Sequence, residues 1–157
     1  MTYLEKFCLT CSTLGPIGYL PASGTVATVI ALFVLWGASF LGLTSFYLFH
    51  SIVIFVGLSV VIIHGALKNF SHHDPSEIVL DEVVGFFFAA SIFPLKLPWL
   101  IGVALAFRFF DIVKPLGIKN LEKLGGAAGI VMDDLLAGFY TWIVLIFVCM
   151  GYDLWLR

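Results

Sequence analysis

The chain has 157 residues, 61% of them hydrophobic and only 11% charged, with a formal net charge of -2 and a mean hydropathy of +1.09. Soluble domains are about 45 to 50% apolar and about 25% charged, so this composition excludes an ordinary soluble domain and describes one membrane-embedded unit. The slight net acidity and the lack of a basic arm or basic-aromatic pattern exclude a nucleic-acid partner.

At the N-terminus, Lys6 precedes an apolar stretch of only residues 7–9 before Thr, Ser, Gly and Pro intervene, which is too short for a signal peptide, so the N-terminus is expected to be retained. Cys8 and Cys11 form a C-x-x-C with no second ligand pair, and they read as small apolar fillers rather than a redox or zinc site. Residues 14–25 hold three Gly and two Pro and are expected to be loop. They end in Ser23-Gly24-Thr25. Hydroxyls and a flexible backbone at a helix start suit a phosphate, although a plain N-cap is the simpler reading. From Phe7 to Leu67 there is no charged residue, a run of 61 that is long enough for two crossings of about 20 residues each. The break falls at residues 42–45, giving helices over 25–41 and 46–67.

The organising stretch is HHDPSEIVLDEVVG, residues 72–85, which carries Asp74, Glu77, Asp81 and Glu82 directly before the uncharged run 83–93. Asp, Pro and Glu in this order form a helix-start signature, so a helix is expected from about Asp74. Spacings of three and four would then place Asp74, Glu77 and Asp81 on one face with Glu82 beside them. Crowded acids repel one another unless a cation neutralises them, and oxygen-only donors favour a hard ion such as Mg2+. The bland alternative is an acidic first turn that complements the helix dipole.

Pro94 and Pro98 interrupt the apolar run and predict a turn. A helix over 99–113 follows and ends in Arg108-Phe-Phe-Asp111-Ile-Val-Lys114-Pro115, with Arg108, Asp111 and Lys114 three residues apart. A polar connection leads to a last helix expected to open at Met132-Asp133-Asp134 and to run to Trp155. If residues 83–107 made one crossing, the acids at 74–82 and the cluster at 108–134 would lie on opposite sides of the membrane. A hairpin folded at Pro94 to Pro98 returns them to one face. The resulting expectation is an all-α, polytopic bundle of about four to five membrane-embedded helices with a broken hairpin, forming a single domain. Lys6, Lys68, Arg108, Lys114, Lys119 and Lys123 fall on the shared face, against Lys96 and Arg157 opposite, so the positive-inside rule makes that face cytoplasmic.

Ionisable groups beside hydrocarbon are functional candidates by default. Carboxylates able to hold Mg2+, together with a Lys and an Arg able to hold phosphate oxygens, are equipment for phosphoryl chemistry, with a metal-activated water or an aspartate as nucleophile. The competing readings are structural or from other classes. Asp111 pairing only with Arg108 or Lys114, and Asp133-Asp134 capping a helix, are the structural ones, while His72, His73, His50 and His64 read as polar interface or locally bonded residues. A small cation carrier with intramembrane acids is the alternative of another class, and a prenyl-diphosphate transferase lacks its D-D-x-x-D pattern here.

The blocks Ser23-Gly-Thr25, DPSEIVLDEVVG (74–85), FRFFDIVKP (107–115) and GIVMDDLLAG (129–138), in this order and spacing, resemble the phosphatidylglycerophosphatase A family over nearly the whole chain. Ser23 and Ala27 stand where that family usually has Pro and Gly, and Gly117 where it has a second Pro. The resemblance implies an integral, Mg2+-dependent lipid phosphatase of the bacterial inner membrane that converts phosphatidylglycerophosphate to phosphatidylglycerol and inorganic phosphate. Carried over by matching motif, the catalytic positions are Asp81, Glu82, Asp111, Lys114, Asp133 and Asp134. Asp74, Glu77, Asp81, Glu82, Asp133 and Asp134 are the candidate metal ligands. Ser23, Gly24, Thr25, Arg108 and Lys114 are the candidate substrate contacts.

Overall fold

The computed structural model describes residues 2–72, 75–115, 117–121 and 124–155, and among them there are helices and turns but no strand. The helices are α1 (Tyr3–Ser12), α2 (Ser23–Phe40), α3 (Ser45–Leu67), α4 (Leu80–Ala90), α5 (Leu97–Val113), α6 (Ile118–Leu121) and α7 (Gly126–Trp155), with a 3-10 turn at Ile17–Tyr19. Among the described residues three stretches, Ser23–Phe40, Ser45–Leu67 and Gly126–Gly151, are long and apolar enough to cross a membrane. With the α4–α5 hairpin they form an all-helical membrane bundle.

The hairpin is the element on which the site depends. α4 has 11 residues and α5 has 17, or about 16 and 25 Å of helix. Between them the chain turns at residues 91–96, and Pro98 sits in the first turn of α5, where its missing N-H costs nothing. A helix that stops inside hydrocarbon leaves carbonyls needing donors. Here Trp142 Nε1 donates to the carbonyls of Phe88 at 3.1 Å and Ala89 at 3.0 Å. Ser91 Oγ also donates to Phe88 O at 2.7 Å, and the Ser45 hydroxyl at the start of α3 donates to Phe93 O.

α4 and α7 run side by side in the same direction through a seam of small residues. A Cβ built on Gly85 would lie 2.7 Å from Asp134 Cβ and 3.0 Å from the Phe107 ring, and one on Gly138 would lie 3.0 Å from Gly85 O. Lipid tails are as apolar as Leu, so helices in a bilayer associate by this kind of close packing rather than by the hydrophobic effect. Phe86, Ala89, Leu100, Val103, Phe107 and Ala137 fill the layer beneath and are fully buried. Cys8 is buried and packs against Gly65 of α3, whose added Cβ would meet its Sγ at 2.7 Å, while Cys11 and Cys149 are partly buried.

Several element starts differ from the sequence expectation. α1 is a helix, closed by a capping box between Thr2 and Glu5. α2 opens at Ser23 rather than Thr25. Residues 75–79 are a turn, and α4 begins at Leu80 rather than near Asp74. Tertiary bonds hold that turn: Ile78 N donates to Pro75 O at 3.0 Å and Val79 N to Ser12 O at 2.9 Å, while Ser23 Oγ donates to Ser76 O at 2.9 Å. Asp74 and His73 lie outside the described residues. α7 opens at Gly126, not Met132, so Asp133 and Asp134 sit two turns inside a helix instead of capping it.

Candidate functional site

Five carboxylates and two cations meet where α4, α5 and α7 come together at one end of the bundle. Asp81, Glu82, Asp111, Lys114, Asp133 and Asp134 line a cavity of about 160 Å3 with Pro75, Ser76 and Ile78. Asp81 and Glu82 come from the first turn of α4 and Asp111 from the last turn of α5. The hairpin has therefore brought together groups thirty residues apart in sequence. Asp81 is four residues before Gly85, and Asp134 is four before Gly138. The parallel glycine seam thus continues one turn further as a facing pair of acids.

Two of the acids are neutralised by cations. Lys114 Nζ donates to Asp133 Oδ2 at 2.7 Å. Arg108 Nη1 lies 2.6 Å from Asp111 Oδ2 and 3.9 Å from Glu82 Oε1. The contact with Asp111 is an ion pair off the hydrogen-bond axis, since Arg108 Nη1 and Nε are both buried without a hydrogen-bond partner. Lys114 ends α5 in the left-handed region at φ 47°, a conformation costly for a residue with a Cβ. Asp133 Oδ1 is fixed in turn by the Asp134 N-H at 3.0 Å.

The remaining three acids form a tighter set. One oxygen each from Asp81, Glu82 and Asp134 lies within 4.8 Å of the others. Asp81 and Asp134 are buried, and Asp81 Oδ1 and Glu82 Oε2 are buried without a hydrogen-bond partner. Unpaired carboxylate oxygens this close, away from water, are strongly unfavourable unless a cation joins them. The donor set is oxygen only, so the residues present fit a hard divalent ion.

A second and larger cavity, about 540 Å3, adjoins the first through Ser76 and Glu82, which line both. Its walls include Gly18, Tyr19, Leu20, Ser23, Gly24, Thr25, Glu77, Arg108 and Ile112. The backbone approaches the charged groups closely at Gly24: a Cβ there would sit 2.1 Å from Glu82 Oε1 and 3.0 Å from Arg108 Nη1, so a side chain would displace the Glu82 carboxylate. Neither Ser23 nor Thr25 caps α2. The cap residue is Ala22, left-handed at φ 55°, with no side-chain bond to the first turn. The α2 N-terminus therefore presents its partial positive charge toward this cavity.

Of the expected site residues, Ser23, Gly24, Thr25, Arg108 and Glu77 gather in the larger cavity, and Asp81, Asp111, Lys114, Asp133 and Asp134 in the smaller, with Glu82 in both. Glu77 thus lines the Arg108 side and is not one of the three clustered donors. Asp74 lies outside the described residues. Gly18, Tyr19, Leu20, Ser76 and Ile112 are wall residues that the motifs did not single out. Only Gly18 carried a signal, as a glycine in a loop: its added Cβ would lie 2.0 Å from Glu77 O. His50 bonds locally, its Nδ1 2.7 Å from Phe46 O.

Fold and site together define a helical membrane protein with a carboxylate-rich, cation-flanked centre at one end of its bundle. The profile of the family described as Phosphatidylglycerophosphatase A matches residues 10–149. The chain belongs to that family, and membership makes it a hydrolase of the phosphatase class. A Haemophilus influenzae protein named Phosphatidylglycerophosphatase A is 35% identical over 125 residues, covering 78% of this chain and 72% of that one. A Bacteroides thetaiotaomicron protein provisionally named phosphatidylinositol-3-phosphatase is 43% identical over 75 residues, covering 46% of this chain. This chain spans about half, 47%, of that second relative's length. No solved structure matches.

Proposed function

We propose that the protein is a Mg2+-dependent lipid phosphatase that removes the terminal phosphate of phosphatidylglycerophosphate, in phosphatidylglycerol and cardiolipin synthesis, at the cytoplasmic face of a bacterial inner membrane. The observation that carries this reading is the cluster of Asp81, Glu82 and Asp134 oxygens within 4.8 Å of one another, flanked by Lys114 and Arg108. The name of the Haemophilus influenzae relative supports the choice of substrate.

Asp81, Glu82 and Asp134 would hold the cation, with Asp133 beside them. A divalent ion bound there supplies Lewis-acid stabilisation of charge on the phosphoryl group. Lys114, kept in place by Asp133, faces the same small cavity and offers a preorganised positive charge to the phosphoryl oxygens. Asp111 holds Arg108 at the boundary of the two cavities, so a phosphate ester bridging them would be oriented by fixed donors rather than by mobile side chains. The buried oxygens Asp81 Oδ1 and Glu82 Oε2 are the acceptors open to a proton from attacking water.

The cation-carrier alternative needs a polar path through the bundle. Directly beneath the acidic layer, Phe86, Phe107, Val103, Leu100 and Ala89 are fully buried and give an ion nothing to coordinate, which favours the enzyme. The test is phosphate release from phosphatidylglycerophosphate by the purified protein, with and without EDTA. Release that requires Mg2+ and is lost in Asp81→Asn and Asp134→Asn supports the proposal; release that survives EDTA or both substitutions contradicts it.

A further inference from the structure

The larger cavity has two chemically unlike sides. Inside stand the Arg108 guanidinium, with buried Nε and Nη1 short of hydrogen-bond partners, and the uncapped first turn of α2. At the mouth stand Tyr19, Leu20 and Ile112, which are 61%, 48% and 67% exposed. Ile112 is one turn beyond Arg108, so the guanidinium and an exposed apolar side chain are neighbours on one side of α5. Below the mouth, α2 exposes Val29 and Phe33 at four-residue spacing from Thr25, and α5 exposes Phe109 beside Ile112. α2 and α5 pack against each other, so this apolar rim continues into a lipid-facing seam between the two helices.

Charge narrows what fits inside. Glu77 and Glu82 line the cavity together with its single guanidinium. Asp111 also lies 2.6 Å from Arg108 Nη1, so carboxylates outnumber the guanidinium and repel a dianionic monoester more strongly than a phosphodiester with its one charge. Of the two phosphates of phosphatidylglycerophosphate, the diester is the one that Arg108 Nε and the first-turn N-H groups of α2 can take. The smaller cavity, with Lys114 and the cation-binding acids, lies next door across Glu82 and Ser76.

We propose that the larger cavity is the specificity subsite for the part of the lipid that does not react. Building on the phosphatase reading above, the Arg108 guanidinium takes the internal phosphodiester, while Tyr19, Leu20 and Ile112 hold the start of the acyl chains. The lipid enters sideways from the bilayer along the α2–α5 seam, and its terminal phosphate reaches the smaller cavity. Leu20 and Ile112 are then specificity-determining residues, selecting a diacyl phospholipid over a water-soluble phosphomonoester.

The experiment compares kcat/KM for phosphatidylglycerophosphate in mixed micelles with kcat/KM for glycerol 3-phosphate, which has the terminal phosphomonoester and neither diester nor chains. Wild type should favour the lipid by at least about a hundred-fold, since binding energy from the remote part is used at the reacting centre. Ile112→Trp, at an exposed position that leaves the core intact, and Arg108→Gln should each cut that ratio at least about five-fold. Val53→Trp, equally lipid-facing but on α3, which does not pack on α5, should keep it. An unchanged ratio in both Ile112→Trp and Arg108→Gln, or an equal fall in Val53→Trp, overturns the subsite. A wild type that cleaves glycerol 3-phosphate as well as the lipid overturns the subsite while leaving phosphatase chemistry intact. A wild type that cleaves neither overturns the phosphatase reading and the subsite with it.

Discussion

Replacing Gly85 by Ala tests how the α4–α7 seam sets the site. The added methyl would stand 2.7 Å from Asp134 Cβ and 3.0 Å from two Phe107 ring atoms, where ordinary contact begins at 3.4 Å. Asp134 Cβ is the root of its side chain and the Phe107 ring is fully buried, so neither can swing away and α4 must move off α7 by roughly 0.7 Å, the difference between 3.4 and 2.7 Å. Overpacking of this kind costs about 1 to 3 kcal/mol. The larger effect is on chemistry. Asp81 and Glu82 ride on α4 and Asp134 on α7, so the shift widens a donor set that a Mg2+ ion accepts only within about 0.2 Å of its preferred distances. A misplacement near 1 Å costs about a hundred-fold in rate. Gly102→Ala is the control, because nothing lies within 4 Å of its Cβ position. Mg2+-dependent phosphate release and the Mg2+ concentration for half-maximal rate should both worsen in Gly85→Ala, by about a hundred-fold and at least ten-fold respectively, and be unchanged in Gly102→Ala. Wild-type activity and metal affinity in Gly85→Ala would refute the claim that this seam positions the acids.

Mg2+ should stabilise the folded protein, with about 2.7 kcal/mol expected at a hundred times its dissociation constant; thermal unfolding in detergent with Mg2+ and with EDTA measures it, and Asp81→Asn or Asp134→Asn should abolish the difference. Lys114→Met should lower kcat/KM by about a hundred-fold, and a double-mutant cycle with Asp133→Asn should return a coupling energy of about 1 kcal/mol or more for their 2.7 Å pair. Trp142→Phe removes the N-H that serves Phe88 O and Ala89 O and should cost about 1 to 3 kcal/mol by thermal unfolding, while activity per folded molecule stays within about two-fold.

The sequence made the hairpin and the convergence legible, because Pro94 and Pro98 leave a break and parity then forces the two acidic clusters to one side. Asp81, Glu82, Asp111, Lys114, Asp133 and Asp134 do share a cavity. Element starts were less legible where tertiary bonds outweigh local preference. Asp74-Pro75-Ser76-Glu77 reads as a helix start, yet Ser23 and Ser12 hold residues 76 and 79 in a turn. Residues 125–129, Gly-Gly-Ala-Ala-Gly, fall in the connection expected before Met132, yet Ala127, Ile130 and Val131 bury against Ile63 and Ile78, which outweighs the glycine penalty and starts α7 at Gly126. The α1 capping box, Thr2 to Glu5, was present in the sequence as T-x-x-E. The apolar rim at Leu20 and Ile112 was not readable, since in a chain this hydrophobic an exposed Leu and a buried one look alike.

The central claim is that residues from α4 and from the α5–α7 connection meet at a single membrane face, and side-specific labelling measures it directly. Ser76→Cys and Leu124→Cys, both at exposed positions, are placed singly in a chain lacking Cys8, Cys11 and Cys149 and treated with a membrane-impermeant maleimide from one side of sealed vesicles. The account predicts that both react from the same side and are both protected from the other. Reaction from opposite sides would contradict it.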